Sequence, residues 1–363
     1  MHFLALADDF TGGSDLAGML YQRGVRVVQT FGPPRDVPAA DAVVVSLKSR
    51  SIEPAAAVEL TLTALRSLPR AQTTYFKYCS TFDSTARGNI GPVTEALMRE
   101  LGTEFTLAVP AVPALGRTQY MGHLFVHGVP LHETSLRTHP LNPMTDSNLV
   151  RHLTPQTARR VGLLRWGHPL ERCGEIALAD VLTDDDLRRL AERFGEEPLL
   201  TGGSGLPAFL DLPAAPPAAR VRPAGPTLIL SGSCSAQTLV QLERLHSVPK
   251  RPLQLDNLEQ LIAEARQQPA LCIYSSAPAG ERLNAPPQVI EQAFAEIARR
   301  VAPPNLIVAG GETAGAVVQA LGVSTAVVTG LVDPGVPELL AKGRRLVLKS
   351  GNLGAEDFFE KAL

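Results

Sequence analysis

The sequence has no surplus of charge of either sign: 34 Lys and Arg stand against 36 Asp and Glu, a formal net charge of −2. Without a basic stripe, nucleic acid is a poor partner. Cysteine is scarce and scattered. The four, Cys79, Cys173, Cys234 and Cys272, form no Cys-x-x-Cys pair, which argues against a disulfide framework or a cysteine-built zinc site and fits a reducing cytoplasm. No apolar run approaches membrane-spanning length. The opening Met-His-Phe-Leu-Ala-Leu-Ala-Asp-Asp lacks the basic start and long apolar stretch of a secretion signal. Aromatics are few, at 5%. No loop matches Gly-x-x-x-x-Gly-Lys-Ser/Thr or Gly-x-Gly-x-x-Gly, so neither standard phosphate signature is available.

What remains is 363 residues, long enough for two domains, with 45% apolar residues. Short apolar runs end repeatedly in polar loops. Residues 3–7 stop at Asp8-Asp9, and Thr11-Gly12-Gly13-Ser14-Asp15 leads into a helical pattern over 16–23 closed by Gly24. Further strands are expected at 25–30, 41–47, 73–78 and 105–109, with helices over 54–68 and 92–101. Apolar strands that deliver polar residues only at their ends predict a parallel sheet buried on both faces, with ligands beyond the carboxyl edge.

The richest loop runs from Tyr75 to Gly91. It carries Ser80, Thr81, Asp83, Ser84, Thr85, Arg87 and Asn89, a set of small donors and acceptors with both signs of charge. Such a loop can hold a small hydroxyl-rich anion, or it can be a polar turn capped by its own side chains. Residues 122–134 alternate and contain Gly and Pro, which predicts a hairpin. Its His123, His127, His132 and Glu133 could ligate a metal or bond locally. Residues 142–147 read as a lid or a connection. Strands expected at 161–166 and 175–181 lie too close together for a usual parallel crossover. Thr183 followed by three aspartates reads as a helix cap.

A further strand at 198–201 ends in Gly202-Gly203-Ser204-Gly205. Residues 211–226, rich in Pro and Ala, read as a linker. Beyond it the strands at 227–230, 305–309 and 346–348 end in Ser231-Gly232-Ser233-Cys234-Ser235, Gly310-Gly311-Glu312-Thr313 and Lys349-Ser350-Gly351-Asn352-Leu353-Gly354. Strands are also expected at 271–274 and 324–329. Two of the loops run into helices expected from Ala236 and Ala314. Amides at a helix start with no Cβ nearby bind phosphate. One glycine loop is a tight turn; three on one edge favour a nucleotide.

These motifs together resemble the four-carbon acid sugar kinases, most closely their 3-oxo-tetronate kinase branch. The matching stretches are Ala7–Gly12, Lys77–Ser84, Gly88–Pro92, Gly116–Thr118, Gly122–Val126, Leu131–Thr134, Ser231–Ser235, Gly310–Thr313 and Lys349–Asn352. The chain departs from the family pattern in being shorter, with losses near 166–175 and 277–288, and in having Leu353 where Phe is usual. The resemblance implies an α/β fold of two domains, each a mainly parallel sheet flanked by helices, with the active site in the cleft between them. Residues 1–210 would bind the sugar acid and 227–363 the nucleotide, with 211–226 between. ATP would phosphorylate the terminal hydroxyl of the acid, 3-oxo-tetronate or else threonate or erythronate.

Carried over residue by residue, the substrate contacts are Asp8 or Asp9, Arg50, Thr81, Phe82, Asp83 and Ser84. The ATP contacts are Ser231, Ser233, Ser235, Gly310, Gly311, Glu312, Thr313 and Gly351, and Gly354 ends the same loop. The expected mechanism has Asp9 or Asp8 accept the hydroxyl proton. Arg50, with Arg87 or Arg117, clamps the carboxylate. Ser80, Thr81 and Ser84 bond the hydroxyls, Asn89 belongs to the same loop, and Mg²⁺ bridges the ATP phosphates. Lys77 and Lys349 read equally as phosphate contacts or structural charges. A rival class is an isomerase or aldolase with Lys77 as a Schiff base, and a third is a sensor that binds without turnover. A homodimer is left open.

Overall fold

Five residues, Phe3 to Ala7, are buried at every position in strand β1 (Phe3–Ala7). The same holds for β3 (Ala42–Ser46), β4 (Thr73–Lys77) and β15 (Asn305–Ala309), introduced in order below. Strands without an exposed face need helices on both sides, and the chain supplies them. The computed structural model describes residues 1–138, 142–214, 220–278 and 280–363. Part of the expected linker, 215–219, and position 279 of the expected second loss lie outside the described residues.

The N-terminal half runs β1, α1 (Phe10–Gln22), β2 (Val27–Phe31), β3, α2 (Pro54–Arg66), β4, α3 (Ile90–Leu101) and β5 (Thr106–Val109). A small antiparallel sheet follows: β6 (Arg117–Tyr120), β7 (His123–Val126) and β8 (Val129–Pro130). Then come α4 (Leu149–Leu153), β9 (Val161–Leu164), β10 (Ile176–Ala179), α5 (Asp184–Phe194) and β11 (Leu199–Gly202). Asp9 caps α1 by accepting from the Gly12 amide at 2.9 Å. Thr183 and Asp186 form the reciprocal capping box that the acidic run predicted, and α5 buries Leu187, Leu190, Ala191 and Phe194 along one face. The puzzle of 161–181 resolves as a true parallel pair: Ile176 sits beside Val161 and Ala179 beside Leu164, joined by residues 165–175 without a helix.

The C-terminal half runs β12 (Thr227–Ser231), α6 (Ala236–Glu243), β13 (Lys250–Pro252), α7 (Leu258–Gln267), β14 (Ala270–Tyr274), α8 (Pro287–Val301), β15 and α9 (Gly311–Ala320). It closes with β16 (Thr325–Asp333), β17 (Val336–Ala341), β18 (Arg344–Lys349) and α10 (Phe358–Ala362). Helix α9 starts at Gly311, not at Ala314 as the sequence suggested, so the glycines belong to its first turn.

The two halves share one sheet. Its order is β13-β14-β12-β15-β18-β17-β16-β2-β3-β1-β4-β11-β5-β10-β9. The seam is the antiparallel pairing of β16 with β2, Thr325 opposite Thr30. Because β17 is antiparallel to both β16 and β18, the parallel strands of the two halves run in opposite senses. Two register shifts in the β16–β17 ladder are of the kind that bend a strand. Helix α1 packs against β16, β17 and α9 as well as its own half, and Tyr21 donates its hydroxyl to the Thr329 carbonyl at 3.1 Å. On β17, Glu338 is fully buried and accepts from Arg345 and from Arg220 and Arg222 of the linker. Burial alone would raise the Glu338 carboxyl, but Arg220 and Arg345 outweigh it and hold it below its ordinary value.

Candidate active site

The strand ends that position the site are those of β1, β3 and β4, lying side by side in the sheet. Each exits into a loop with charge. After β1 comes Asp8-Asp9; after β3, Lys48 and Arg50; at the end of β4, Lys77 and then the Cys79–Asp83 turn. Arg50 lies on both aspartates: its Nε and Nη2 reach the two Asp8 oxygens at 2.9 and 2.8 Å, and Nη2 also reaches Asp9 Oδ1 at 2.8 Å. Burial pushes the Asp8 carboxyl above its ordinary value despite Arg50. Burial pushes Asp9 the same way, but Arg50, Lys77, the Thr11 hydroxyl and the Gly12 amide win and hold it below the ordinary range. Asp9 therefore stays ionised and is the more exposed of the two, 24% against 7% for the side chains.

Asp8, Asp9, Arg50, Ser80, Thr81, Asp83 and Arg117 all line one cleft of about 750 Å³. Gly311 and Glu312 of the C-terminal half line it too. A Cβ placed on Gly311 would stand 3.4 Å from Thr11 Oγ1 and 3.9 Å from Asp9 Oδ2. The start of α9 thus faces the catalytic candidate directly. A second cavity of about 390 Å³ adjoins, sharing Gly311 and Glu312 and adding Gly232, Ser233, Gly310, Thr313 and Gly351. Its loops are laced by backbone bonds between strand ends: the Gly232 amide donates to Ala309 and the Gly310 amide to Lys349. Gly310 has φ +118°, a conformation in which only glycine is at ease. The Gly351 carbonyl accepts from Ser235 Oγ at 2.7 Å, Thr238 Oγ1 at 2.9 Å and Lys349 Nζ at 2.9 Å.

Several expected contacts do not face these cavities. Phe82 is buried beneath the loop against Tyr78 and His152, with a left-handed backbone at φ +58° that a bulky residue rarely holds. Ser84 is buried with its hydroxyl beside Gly88. Asn89 is spent on the carbonyls of Ser49, Arg50 and Ile52, which fixes the Arg50 loop. Arg87 is exposed outside the cleft. Ser231 is buried and bonded to Ser276, Ser235 caps α6, and the Gly354 carbonyl accepts from Gln237 and Gln241. Arg50 is also not free to grip a carboxylate with the edge the aspartates already occupy. Thr81 donates to Asp83 Oδ1 at 2.6 Å, and Arg117 bonds the Leu115 carbonyl while its buried Nε has no partner among the described residues.

Lys77 is buried, donates to the Tyr78 carbonyl, stands 4.0 Å from Asp15 and also lines the cleft. Lys349 is fully buried under Gly351. His123 and His132 both bond Ser147, and among the described residues no group of three or more His, Cys, Asp or Glu is placed to hold a metal. Residues 142–147 pack as a connection, with Met144 buried. Among the cleft residues that were not foreseen, two carry charge toward it. Asp15 sits a turn and a half into α1 and carries an unpartnered buried oxygen. Lys48 meets Glu312 at 3.6 Å across the halves. The Lys-Ser-Arg run after β3 was a signal for Lys48; for Asp15 the helical spacing from Asp8 was the only one.

The comparisons with known proteins agree with this architecture. Residues 3–210 match a family model described as a sugar-binding N-terminal domain, and residues 228–359 one described as a nucleotide-binding C-terminal domain. The chain is 41% identical to a 3-oxo-tetronate kinase of Pseudomonas fluorescens, covering 99% of this chain and 95% of that one. It is 43% identical to one of Burkholderia multivorans, covering 99% and 96%. This chain belongs to the four-carbon acid sugar kinases. It is a carbohydrate kinase, and such a kinase uses ATP. A Salmonella typhimurium LT2 crystal structure superposes with TM-score 0.88 at 37% identity, covering 99% of this chain and 98% of that one. A Haemophilus influenzae structure gives 0.79 at 36%, with the same coverage. The Pseudomonas alignment runs over 413 positions against 363 residues here, so the kinase lacks segments its relatives carry. No helix among the described residues is long and apolar enough to cross a membrane.

Proposed function

We propose that this kinase transfers the γ-phosphoryl of ATP to the terminal hydroxyl of 3-oxo-tetronate, giving 3-oxo-tetronate 4-phosphate. The observation that carries the reading is the opposition of Asp9 and Gly311 across one cleft, an ionised carboxylate against a glycine helix start. Residues 1–210 form the sugar-acid half, 211–226 the linker and 227–363 the nucleotide half. Asp9 accepts the hydroxyl proton, and Asp8, clamped and buried, holds Arg50 in place. In a loose phosphoryl transfer the proton leaves late, so a weakly basic carboxylate suffices. Arg117, with its unpartnered Nε, takes the substrate carboxylate, and Ser80, Thr81 and Asp83 bond the hydroxyls.

The second cavity suits a nucleotide: it is lined by Gly232, Gly310, Gly311 and Gly351, and a Cβ on Gly232 would lie 2.1 Å from Thr313 Oγ1 and one on Gly351 2.4 Å from Ser233 Oγ, so only glycine lets these loops close on one another around it. ATP supplies the phosphoryl group when bound there. Among the described residues no group of three or more His, Cys, Asp or Glu would cage it, so Mg²⁺ would arrive on the phosphates and find Glu312, which lines both cavities. The four free cysteines fit a cytoplasmic location.

The test is ADP release across four-carbon sugar acids in the presence of MgATP. Release with 3-oxo-tetronate above threonate and erythronate is the expected order. ADP release led by threonate would reassign the substrate, and none with any acid would sink the kinase mechanism.

A further inference from the structure

The cations that line the larger cleft are Lys48, Arg50, Lys77 and Arg117. Three face the N-terminal half: Arg50 bonds Asp8 and Asp9, Lys77 bonds Tyr78 near Asp15, and Arg117 bonds Leu115 and keeps its Nε for the substrate. Lys48 alone reaches across. It leaves the sheet two residues after β3, passes the Phe10 ring with Nζ 6.0 Å from its centre, and meets Glu312 at 3.6 Å. Its stem lies in a notch of α9. A Cβ on Gly315 would stand 2.3 Å from Lys48 Cε and 2.6 Å from Nζ, so only a residue without a side chain leaves that passage open. The ammonium is thereby delivered beside Glu312, which with Gly311 lines both cavities and sits in the first turn of α9.

The pair with Glu312 is weak. The Glu312 side chain is 73% exposed and that of Lys48 36%, and exposed pairs of this kind contribute about 1 kcal/mol or less. A triphosphate arriving at α9 brings far more negative charge than one solvated carboxylate, and a lysine ammonium is a compact charge suited to phosphate.

We propose that Lys48 is a catalytic residue donated by the sugar-acid half to the nucleotide half: it exchanges Glu312 for the γ-phosphoryl group and neutralises the charge that develops as the group crosses to the substrate hydroxyl. The inference rests on the kinase reading for its chemistry, but its binding geometry can be tested separately. A lysine that takes the γ-phosphoryl group would distinguish a triphosphate from a diphosphate. The second cavity has Arg282 of its own half beside Glu291 and Glu312, and Lys48 adds a cation from the other half.

The experiment uses the full chain with Lys48→Met, Lys48→Arg and Gly315→Ala, where the added methyl displaces the lysine stem without changing charge. Turnover by ADP release should fall about 100-fold in Lys48→Met, as when a single transition-state donor is removed. Lys48→Arg should recover part of it, and Gly315→Ala should lower it about tenfold. Calorimetric binding of AMP-PNP should weaken about tenfold in Lys48→Met while ADP binding stays at the wild-type level. Turnover within threefold of wild type in Lys48→Met, or equal weakening toward AMP-PNP and ADP, would overturn the assignment. If the wild type releases no ADP with any acid, the kinase reading has failed by itself; the AMP-PNP-against-ADP contrast then still decides whether Lys48 recognises a γ-phosphate.

Discussion

The two halves of the cleft are built on opposite principles. On the sugar-acid side, charges are buried and already paired: Asp8 and Asp9 against Arg50, Asp15 against Lys77. On the nucleotide side the lining is mostly backbone and small side chains, Gly232, Gly310, Gly311 and Gly351 with Ser233 and Thr313, beside the charged Arg282, Glu291 and Glu312, and the buried Lys349 faces carbonyls beneath the loop. The first arrangement sets protonation states and fixes side chains before substrate arrives, at the cost of desolvating them. The second is built of glycine loops packed closely on one another, so shape is its vulnerable property. Losing a charge should damage the first side and adding an atom the second.

The largest effect should come from Asp9→Asn. Asparagine keeps the cap on α1, so the melting temperature should hold while turnover falls by about 10²–10⁴, the usual range for loss of a general base. Turnover near wild type would remove Asp9 as the base. Next in size is Gly351→Ala. Its methyl would stand 2.4 Å from Ser233 Oγ and 3.1 Å from Ser235 Oγ, and the KM for ATP should rise about tenfold with kcat little changed. A drop in kcat alone would show that this loop does more than hold the nucleotide.

The smallest concerns Lys349, where burial pulls the ammonium down to about 7. Above that pH the folded chain holds one proton fewer than the unfolded chain, so stability rises with pH until the unfolded lysine also titrates. The stability difference between wild type and Lys349→Met should therefore shift in favour of wild type between about pH 7 and 10. A pH-independent difference would mean that the three oxygens around Nζ keep the lysine charged.

Much of this was legible in the chain. The run 3–7 ends at Asp8-Asp9 because an apolar strand buried on both faces can carry polar residues only where it leaves the sheet. Thr183 with Asp186 announced a helix start because capping is a contact between neighbours in sequence. The glycine loops after β12, β15 and β18 were visible for the same local reason. Phe82, Ser84 and Asn89 turn inward because a polar loop has two sides. Residue type does not say which side chains turn toward the cleft and which turn inward to hold it.

The sequence by itself determined the alternation of strands and helices, the family, and the loops at which ligands collect, since each of these is encoded over a few adjacent residues. The tertiary structure alone decided that β16 pairs with β2, so that two parallel sets of opposite sense form one sheet. It decided that Arg50 is taken by Asp8 and Asp9, and that Lys48 crosses over Gly315 to Glu312. Those are pairings between segments far apart in the chain. Their energies depend on burial and on which partner arrives, and neither quantity exists until the two halves have packed.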